Sequence, residues 1–444
     1  MQRLLLTVLT LLFMHSAIGA QELLTLERCI SIAMENNLSL KSKRGELQKS
    51  KYTISENRAM LLPKLNAFAN FNDNFDPPVS VTDGSSYGVP YNVTHTLQYN
   101  ASAGLQLSMP LFNQTIYATM EITKLVDNIN NLSYEKARED LALQIARMYY
   151  IGQTTIEQIA IVKSNITRLE ELKSITEAFY DNQMVLDIDV KRVDINLQNL
   201  RVQYNNAMSM LEQQLNSLKY IIDYPATAEI TLAPSDANRF EEVALTGLSP
   251  ELFELQMLAG QNSIAQQRRS IVSSGYMPSL TLTGNWMYTA FTDELSNWFH
   301  SGPSNHWFRS YGLGLSLRVP IFDGFDKKYK LRKADIDITN SRLAQENTQK
   351  QLETEYMNAT NDLMNHRRNF ERQKENCRLA EEVCGVTGER YREGIASMTE
   401  VLQDEMRMSE AQNSYLNAYL NYRLANLKLI KLTGRAGQLI PSAE

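Results

Sequence analysis

Two short acidic segments are the places where side chains of this chain could act together. Residues 180–190 carry Asp181, Asp187 and Asp189, and residues 391–404 carry Glu393, Glu400 and Asp404. Carboxylates gathered around an axis attract cations and repel one another, which is the chemistry of a selectivity ring or an aperture. The same acids could instead cap the first turns of helices, where the helix dipole favours negative charge. Tyr180 and Tyr391 open the two segments. Nucleophilic and metal chemistry find no comparable constellation. Of the five histidines, His15 lies in the apolar N-terminus, His95, His300 and His306 fall in expected loops, and His366 falls in an expected helix; none pairs with Cys or a second His at ligand spacing. No Gly-rich phosphate loop or nucleophile elbow occurs. We therefore expect no enzyme activity, no cofactor and no metal.

The elements that must position these turns emerge from composition and punctuation. The chain has 444 residues, with 44 basic and 50 acidic side chains, a net charge of −6 and 43% hydrophobic residues. That is enough apolar material for a sizeable core, and the mild acidity argues against nucleic acid as a partner. Residues 1–20 read as a secretory signal: Arg3, an apolar stretch Leu4–Met14, and the small-residue site Ala17-Ile18-Gly19-Ala20. No cysteine follows at the cleavage point, so no lipid anchor is expected there. Beyond it no run of 18 apolar residues occurs, which leaves a soluble exported protein or a β-barrel. The three cysteines, Cys29, Cys377 and Cys384, form no disulfide framework and read as small core residues.

The twelve prolines leave two long proline-free stretches, 111–224 and 321–440, both rich in helix formers. The two stretches resemble each other. Leu62-Pro63-Lys64-Leu65 aligns with Met277-Pro278-Ser279-Leu280, and Met109-Pro110-Leu111-Phe112 with Val319-Pro320-Ile321-Phe322. At an offset of 211, Tyr180 meets Tyr391, Asp189 meets Glu400, Val190 meets Val401, Tyr204 meets Tyr415 and Ala207 meets Ala418. We read a tandem duplication with internal pseudo-symmetry.

Each unit begins with period-two alternation. Ala101, Ala103, Leu105, Leu107 and Met109 share one face, as do Tyr311, Leu313, Leu315, Leu317, Val319 and Ile321. These segments are poor in charge, and Trp286, Trp298 and Trp307 all lie in 279–322. That pattern fits a transmembrane β-barrel, although an antiparallel sheet in a soluble domain alternates in the same way. The period then changes to helical, for example Tyr204, Met208, Leu211, Leu215 and Leu218, which implies helix packing of coiled-coil kind. Residues 114–180 and 325–391 are 67 residues each; as continuous helix either would reach roughly 100 Å.

The expected organisation is a signal peptide at 1–20 and a first repeat at 21–222. That repeat holds a helix (Leu26–Arg58), two strands about 64–112 and a long helical hairpin 113–222. A linker or equatorial region at 223–248 follows. The second repeat, 249–434, holds a helix starting at Ser249-Pro250-Glu251 and running near 250–273, two strands about 279–322 and a long helical hairpin 323–434. Residues 435–444 form a C-terminal tail. Four strands cannot close a sheet, and open edges cannot cross hydrocarbon. A barrel therefore needs several chains: two would give eight strands with little lumen, three would give twelve and room for a channel.

The duplicated proline motifs, Val319-Pro320-Ile321-Phe322-Asp323-Gly324 above all, together with Tyr391-Arg392-Glu393-Gly394-Ile395-Ala396-Ser397-Met398-Thr399-Glu400-Val401-Leu402, closely resemble the TolC-type outer-membrane efflux channels across essentially the whole chain after the signal. The block through Tyr415, Tyr422, Leu429 and Leu432-Thr433-Gly434 also fits. The resemblance implies an α+β membrane protein, a homotrimer with a twelve-stranded transmembrane barrel of four strands per chain, continued by a coiled-coil periplasmic tunnel. It implies residence in the outer membrane of a Gram-negative bacterium, among outer-membrane lipid. The expected partners are a periplasmic membrane-fusion adaptor and an inner-membrane pump of RND or ABC type.

The resemblance also places a gated aperture at the turns, with Asp189, Glu400, Tyr391, Tyr180, Asp187 and Asp404 as its residues. The chain departs from the pattern there: Ala396 stands at the gate arginine, Gln403 at the second gate acid, and Gln183 replaces the glycine of the first turn. An apolar constriction of Met184, Leu186, Ile395 or Met398 is the corresponding expectation. Alternatives are the outer-membrane channel of a type I protein-secretion system and, in a different class, a periplasmic coiled-coil adaptor without a pore.

Overall fold

The computed structural model describes residues 22–441 apart from 78, 84, 86, 87, 96, 235–242 and 299–306. The expected signal peptide and the loop histidines His300 and His306 lie outside the described residues. The chain divides into two compact units. One is formed by the described parts of Met1–Glu46, Asn131–Leu258 and Ala344–Glu444, the other by those of Leu47–Asn130 and Ala259–Leu343.

In the second of these the alternating segments are strands. β2 (Lys64–Asp73), β5 (Tyr99–Asn113), β7 (Ser279–Thr292) and β8 (Trp307–Arg318) form one antiparallel sheet in the order β2-β5-β7-β8. The register runs from Lys64 opposite Ser108 to Asp73 opposite Tyr99, and from Ser279 opposite Arg318 to Ala290 opposite Trp307. At the centre β5 passes so close to β7 that a Cβ on Gly104 would lie 2.4 Å from the Trp286 carbonyl oxygen. Within the first loop, β3 (Val79–Asp83) pairs with β4 (Tyr91–His95) as a separate hairpin. The second loop contains a short 3-10 turn, Leu295–Trp298. Phe71, Tyr99, Trp298 and Trp307 cluster at the loop end of the sheet, with Phe71 edge-on to Trp298 at 5.7 Å.

The two matched prolines behave differently. Pro110 stays inside β5, where the register shifts between Pro110 and Phe112, so a bulge absorbs the missing donor. β8 instead stops at Arg318, two residues before Pro320, so Val319 and Ile321 lie beyond the strand expected there. Pro320 has no N–H for the ladder and no bulge accommodates it.

The other unit is helical. A parallel pair, β1 (Glu22–Leu24) with β6 (Ile230–Leu232), packs with α1 (Leu26–Asn36), α3 (Gln114–Asp181) and α4 (Asp187–Ile222) around Leu24, Ile30, Ile145, Leu218 and Ile222. The helix expected over Leu26–Arg58 is two, α1 and α2 (Leu38–Ala59). Asn37 breaks it: its Oδ1 accepts the Leu40 N–H at 3.0 Å, capping α2, and its Nδ2 donates to the Ile221 carbonyl at 2.8 Å. Likewise the expected helix at Ser249-Pro250-Glu251 starts later. Ser249 Oγ accepts the Glu251 N–H at 3.2 Å, closing a turn, and α5 begins at Phe253 (Phe253–Ser274).

The second long pair is α6 (Asp326–Arg392) and α7 (Met398–Leu432), with Ala359, Leu363, Tyr422, Leu429 and Leu432 buried between them. A polar chain running through buried Asn165, Glu405 and Gln412 ties three helices. Arg168 of α3 forks onto Glu405 of α7 at 2.8 and 3.1 Å, Asn165 donates to Gln412, and Gln412 donates to Glu381 of α6. All three cysteines are buried and none is in a disulfide. Burial pushes the Cys377 thiol up to about 11 and the Cys384 thiol to about 12, so neither is a nucleophile at neutral pH. Among the described residues no helix is long and apolar enough to cross a membrane.

Candidate functional site

The turn from α3 to α4 and the turn from α6 to α7 are built on one backbone plan. In the first, Asn182, Gln183 and Met184 donate to the carbonyls of Ala178, Tyr180 and Phe179. In the second, Glu393, Gly394 and Ile395 donate to those of Glu389, Tyr391 and Arg390. Each of these bonds of the first turn has its counterpart 211 residues on, and the second turn adds one from the Ala396 N–H to the Arg390 carbonyl at 3.2 Å. The pattern needs a left-handed residue after the helix. Gly394 takes that conformation at φ 75°, and Gln183 takes it at φ 60° with a side chain in the way.

The helices that follow begin differently. Ser397 caps α7 in a capping box: the Glu400 N–H donates to Ser397 Oγ at 3.3 Å, and the Ser397 N–H donates to Glu400 Oε2 at 2.9 Å. Leu186 stands at the N-cap of α4 and offers no side-chain bond. Glu400 thus serves its own helix start, whereas Asp189 lies 3.1 Å from Arg192 and is half-buried. Arg192 also reaches Thr399 Oγ1 at 3.4 Å, which links the start of α4 to the start of α7.

Asp187 is exposed and pairs with Lys191. Asp404 accepts a bond from Thr387 Oγ1 at 2.7 Å and lies 3.3 Å from Arg407. Asp181 and Glu393 are exposed. Four of the expected site acids therefore carry a cation or a cap of their own, and the exposed pair of Asp187 with Lys191 is weak and salt-sensitive.

The two tyrosines part company. Tyr391 is only 3% exposed, inside a cluster with Val193, Leu197, Met398, Val401 and Leu402, and Tyr180 is 45% exposed. Tyr391 donates to Thr176 Oγ1 at 3.3 Å, and its ring lies 5.7 Å from Phe179. Burial, reinforced by the charge of Asp189, holds its hydroxyl above the usual 10. Met398 is buried in the same cluster, which removes it from the expected apolar constriction; Met184, Leu186 and Ile395 are exposed. Ala396 is buried too, so no arginine could sit at that position without opening the cluster.

Arg192, Thr399 and Arg168 are the contributors that sequence reasoning passed over. Asp189–Arg192 has the i, i+3 spacing of a helix ion pair, a signal visible in the sequence. The reach of Arg192 to Thr399 and of Arg168 to Glu405 joins residues more than 200 apart and has no local signal.

A family model described as outer membrane efflux protein matches residues 29–222 and 252–435. The outer membrane protein TolC of Vibrio cholerae is 23% identical over 428 residues, covering 90% of this chain and 89% of its own. The probable efflux pump outer membrane protein TtgC of Pseudomonas putida is 22% identical over 381 residues, 81% of this chain and 75% of that one. Among solved structures, the open state of the MtrE outer membrane channel of Neisseria gonorrhoeae matches with a TM-score of 0.72 at 21% identity, covering 92% of this chain and 88% of that one, a likeness of fold. With both long helical hairpins and all four strands of the sheet inside the family match, the chain belongs to the outer membrane efflux protein family and works in the outer membrane as an efflux duct.

Proposed function

We propose that three copies of this chain close a twelve-stranded barrel and a helical tunnel. That assembly would be the passive exit duct of a tripartite system, fed by a periplasmic adaptor and an energised inner-membrane pump. The observation that carries this reading is the open four-stranded sheet. Among the described residues β2 and β8 each pair on one side only, and the stripe Tyr311, Leu313, Leu315 and Leu317 on β8 is exposed. Such edges cannot stand in hydrocarbon unless further copies continue the ladder. The duct performs no catalysis; transport is driven by the partners. The matching bonds of the two turns support a duplicated origin for the two halves.

The aperture belongs at these turns, with Asp189 and Glu400 supplying six carboxylates around the axis of a trimer. Asp187, Asp404, Tyr180 and Tyr391 flank them. Arg192, bound to Asp189 and reaching Thr399, is the contact that holds the two helix starts together and takes the part of the missing gate arginine. Single-channel conductance of the detergent-purified protein in a planar bilayer tests both levels, after its oligomer mass has been measured. A trimer with small, cation-preferring conductance is expected. Asp189→Asn with Glu400→Gln should abolish the cation preference while Gln preserves the capping box. Unchanged selectivity would remove the ring, and a monomer that never inserts would remove the duct.

A further inference from the structure

The two ends of the sheet differ in charge. Asp73, Asp76, Asp83, Asp293 and Glu294 lie around the loop end. At the helix end, β8 closes on Arg318 and α6 opens with Asp326-Lys327-Lys328-Tyr329-Lys330-Leu331-Arg332-Lys333, five cations and one acid in eight residues. Helix electrostatics opposes that placement, because the dipole already puts positive charge at a helix N-terminus. The start of α3, residues 114–123, carries Glu121 as its one charge, so a long helix can leave this sheet without them.

Two of the five are accounted for locally: Lys327 lies 3.0 Å from Asp323, and Lys330 lies 2.7 Å from Asp326. Lys328, Arg332 and Lys333 are exposed, and among the described residues no carboxylate pairs with them.

Immediately before these cations stands an aromatic pair. Phe322 and Phe325 meet edge-on at 5.5 Å and are both exposed, Phe322 by 75%. Phe325 is held outward at φ 68°, a left-handed conformation that costs a bulky residue energy. Lys328 Nζ lies 5.3 Å from the Phe325 ring centroid. Ile321, 95% exposed, joins this pair to the apolar stripe of β8. The order along the surface is thus aliphatic, aromatic, cationic, which is the order of hydrocarbon, interface and headgroup in a bilayer leaflet.

We propose that Phe322, Phe325, Lys328, Arg332 and Lys333 form a collar that binds the anionic phosphodiester headgroups of phospholipids in the leaflet nearest the helices. The inference rests on the membrane-spanning reading of the sheet. Long Lys and Arg side chains reach headgroup phosphates while their stems cover apolar surface. A second copy of the chain is a poorer occupant. If its β2 continued the ladder at β8, it would bring Arg58 and Lys64, two more exposed cations, toward the collar.

The test uses the full purified chain, first mixed with vesicles of phosphatidylcholine with and without phosphatidylglycerol. It is then titrated in detergent with each lipid separately, and retained lipid is read by native mass spectrometry. The intact protein should bind phosphatidylglycerol over phosphatidylcholine. Lys328→Gln/Arg332→Gln/Lys333→Gln should weaken that preference about fivefold per charge, on the order of a hundredfold in all. A control variant, Arg342→Gln/Arg372→Gln/Lys374→Gln, should keep it. An unchanged preference in the collar variant, an equal loss in the control, or full displacement by inorganic phosphate would overturn the lipid collar. Failure to enter either vesicle would overturn the membrane-spanning reading and the collar with it, whereas insertion without lipid preference sinks the collar alone.

Discussion

The turn after α3 and the turn after α6 share their backbone bonds and differ in nearly everything else. At the second, a glycine occupies the left-handed position, Ser397 and Glu400 cap the next helix, and Tyr391, Ala396 and Met398 are buried. At the first, Gln183 bears the strain, Leu186 leaves the helix start uncapped, and Tyr180, Met184, Leu186 and Ile188 are exposed. One backbone geometry can therefore be kept while its side chains are traded from internal cohesion to external surface. The first turn is the half that presents apolar surface, and the second is the half that anchors.

The largest effect that would sharpen this contrast is Tyr391→Ala, which should cost about 3–5 kcal/mol through the cavity left in its cluster. Tyr180→Ala should change stability by less than about 0.5 kcal/mol. Chemical denaturation of both variants decides it; equal losses would erase the distinction between anchored and exposed tyrosines.

Next is Arg168→Ala, which leaves Glu405 buried without its partner and should cost about 3 kcal/mol. It acts on the α7 side and leaves the start of α4 untouched, so hydrogen exchange should rise first along α7.

The caps come third. Ser397→Ala should lose about 1 kcal/mol, and Leu186→Ser should gain a similar amount by supplying the missing acceptor. Thermal melts of the pair would break the comparison if the two changes had the same sign. Gln183→Gly should stabilise by about 0.5 kcal/mol, the relief of left-handed strain less the entropy of glycine.

The smallest is a pH effect. Because the Tyr391 hydroxyl is held above 10, the unfolded chain ionises first, so stability is complete below pH 10 and declines as pH rises through that range. Tyr391→Phe should flatten the decline at the loss of about 1 kcal/mol for the bond to Thr176. A Tyr391→Phe profile identical to that of the native chain would assign the decline to other groups.

Local pattern determined a great deal. Period-two alternation marked β5 and β8, and the proline-free stretches marked the long helices; the i, i+3 spacing of Asp189 and Arg192 was there to be read but was passed over. These features were legible because strand faces, helix continuity and i, i+3 pairs are set by residues close together in sequence. Pro110 and Pro320 look alike in sequence, yet only the first sits at a bulge of its own strand against a partner, and that depends on β7 lying alongside. Asn37 reads as an ordinary helix residue until the Ile221 carbonyl supplies its second partner. Whether Tyr180 or Tyr391 is buried was likewise decided by tertiary structure, whereas the Ser397–Glu400 capping box is a local i, i+3 feature. Burial is a property of what lies across the coil, and matched positions in the two halves meet different neighbours.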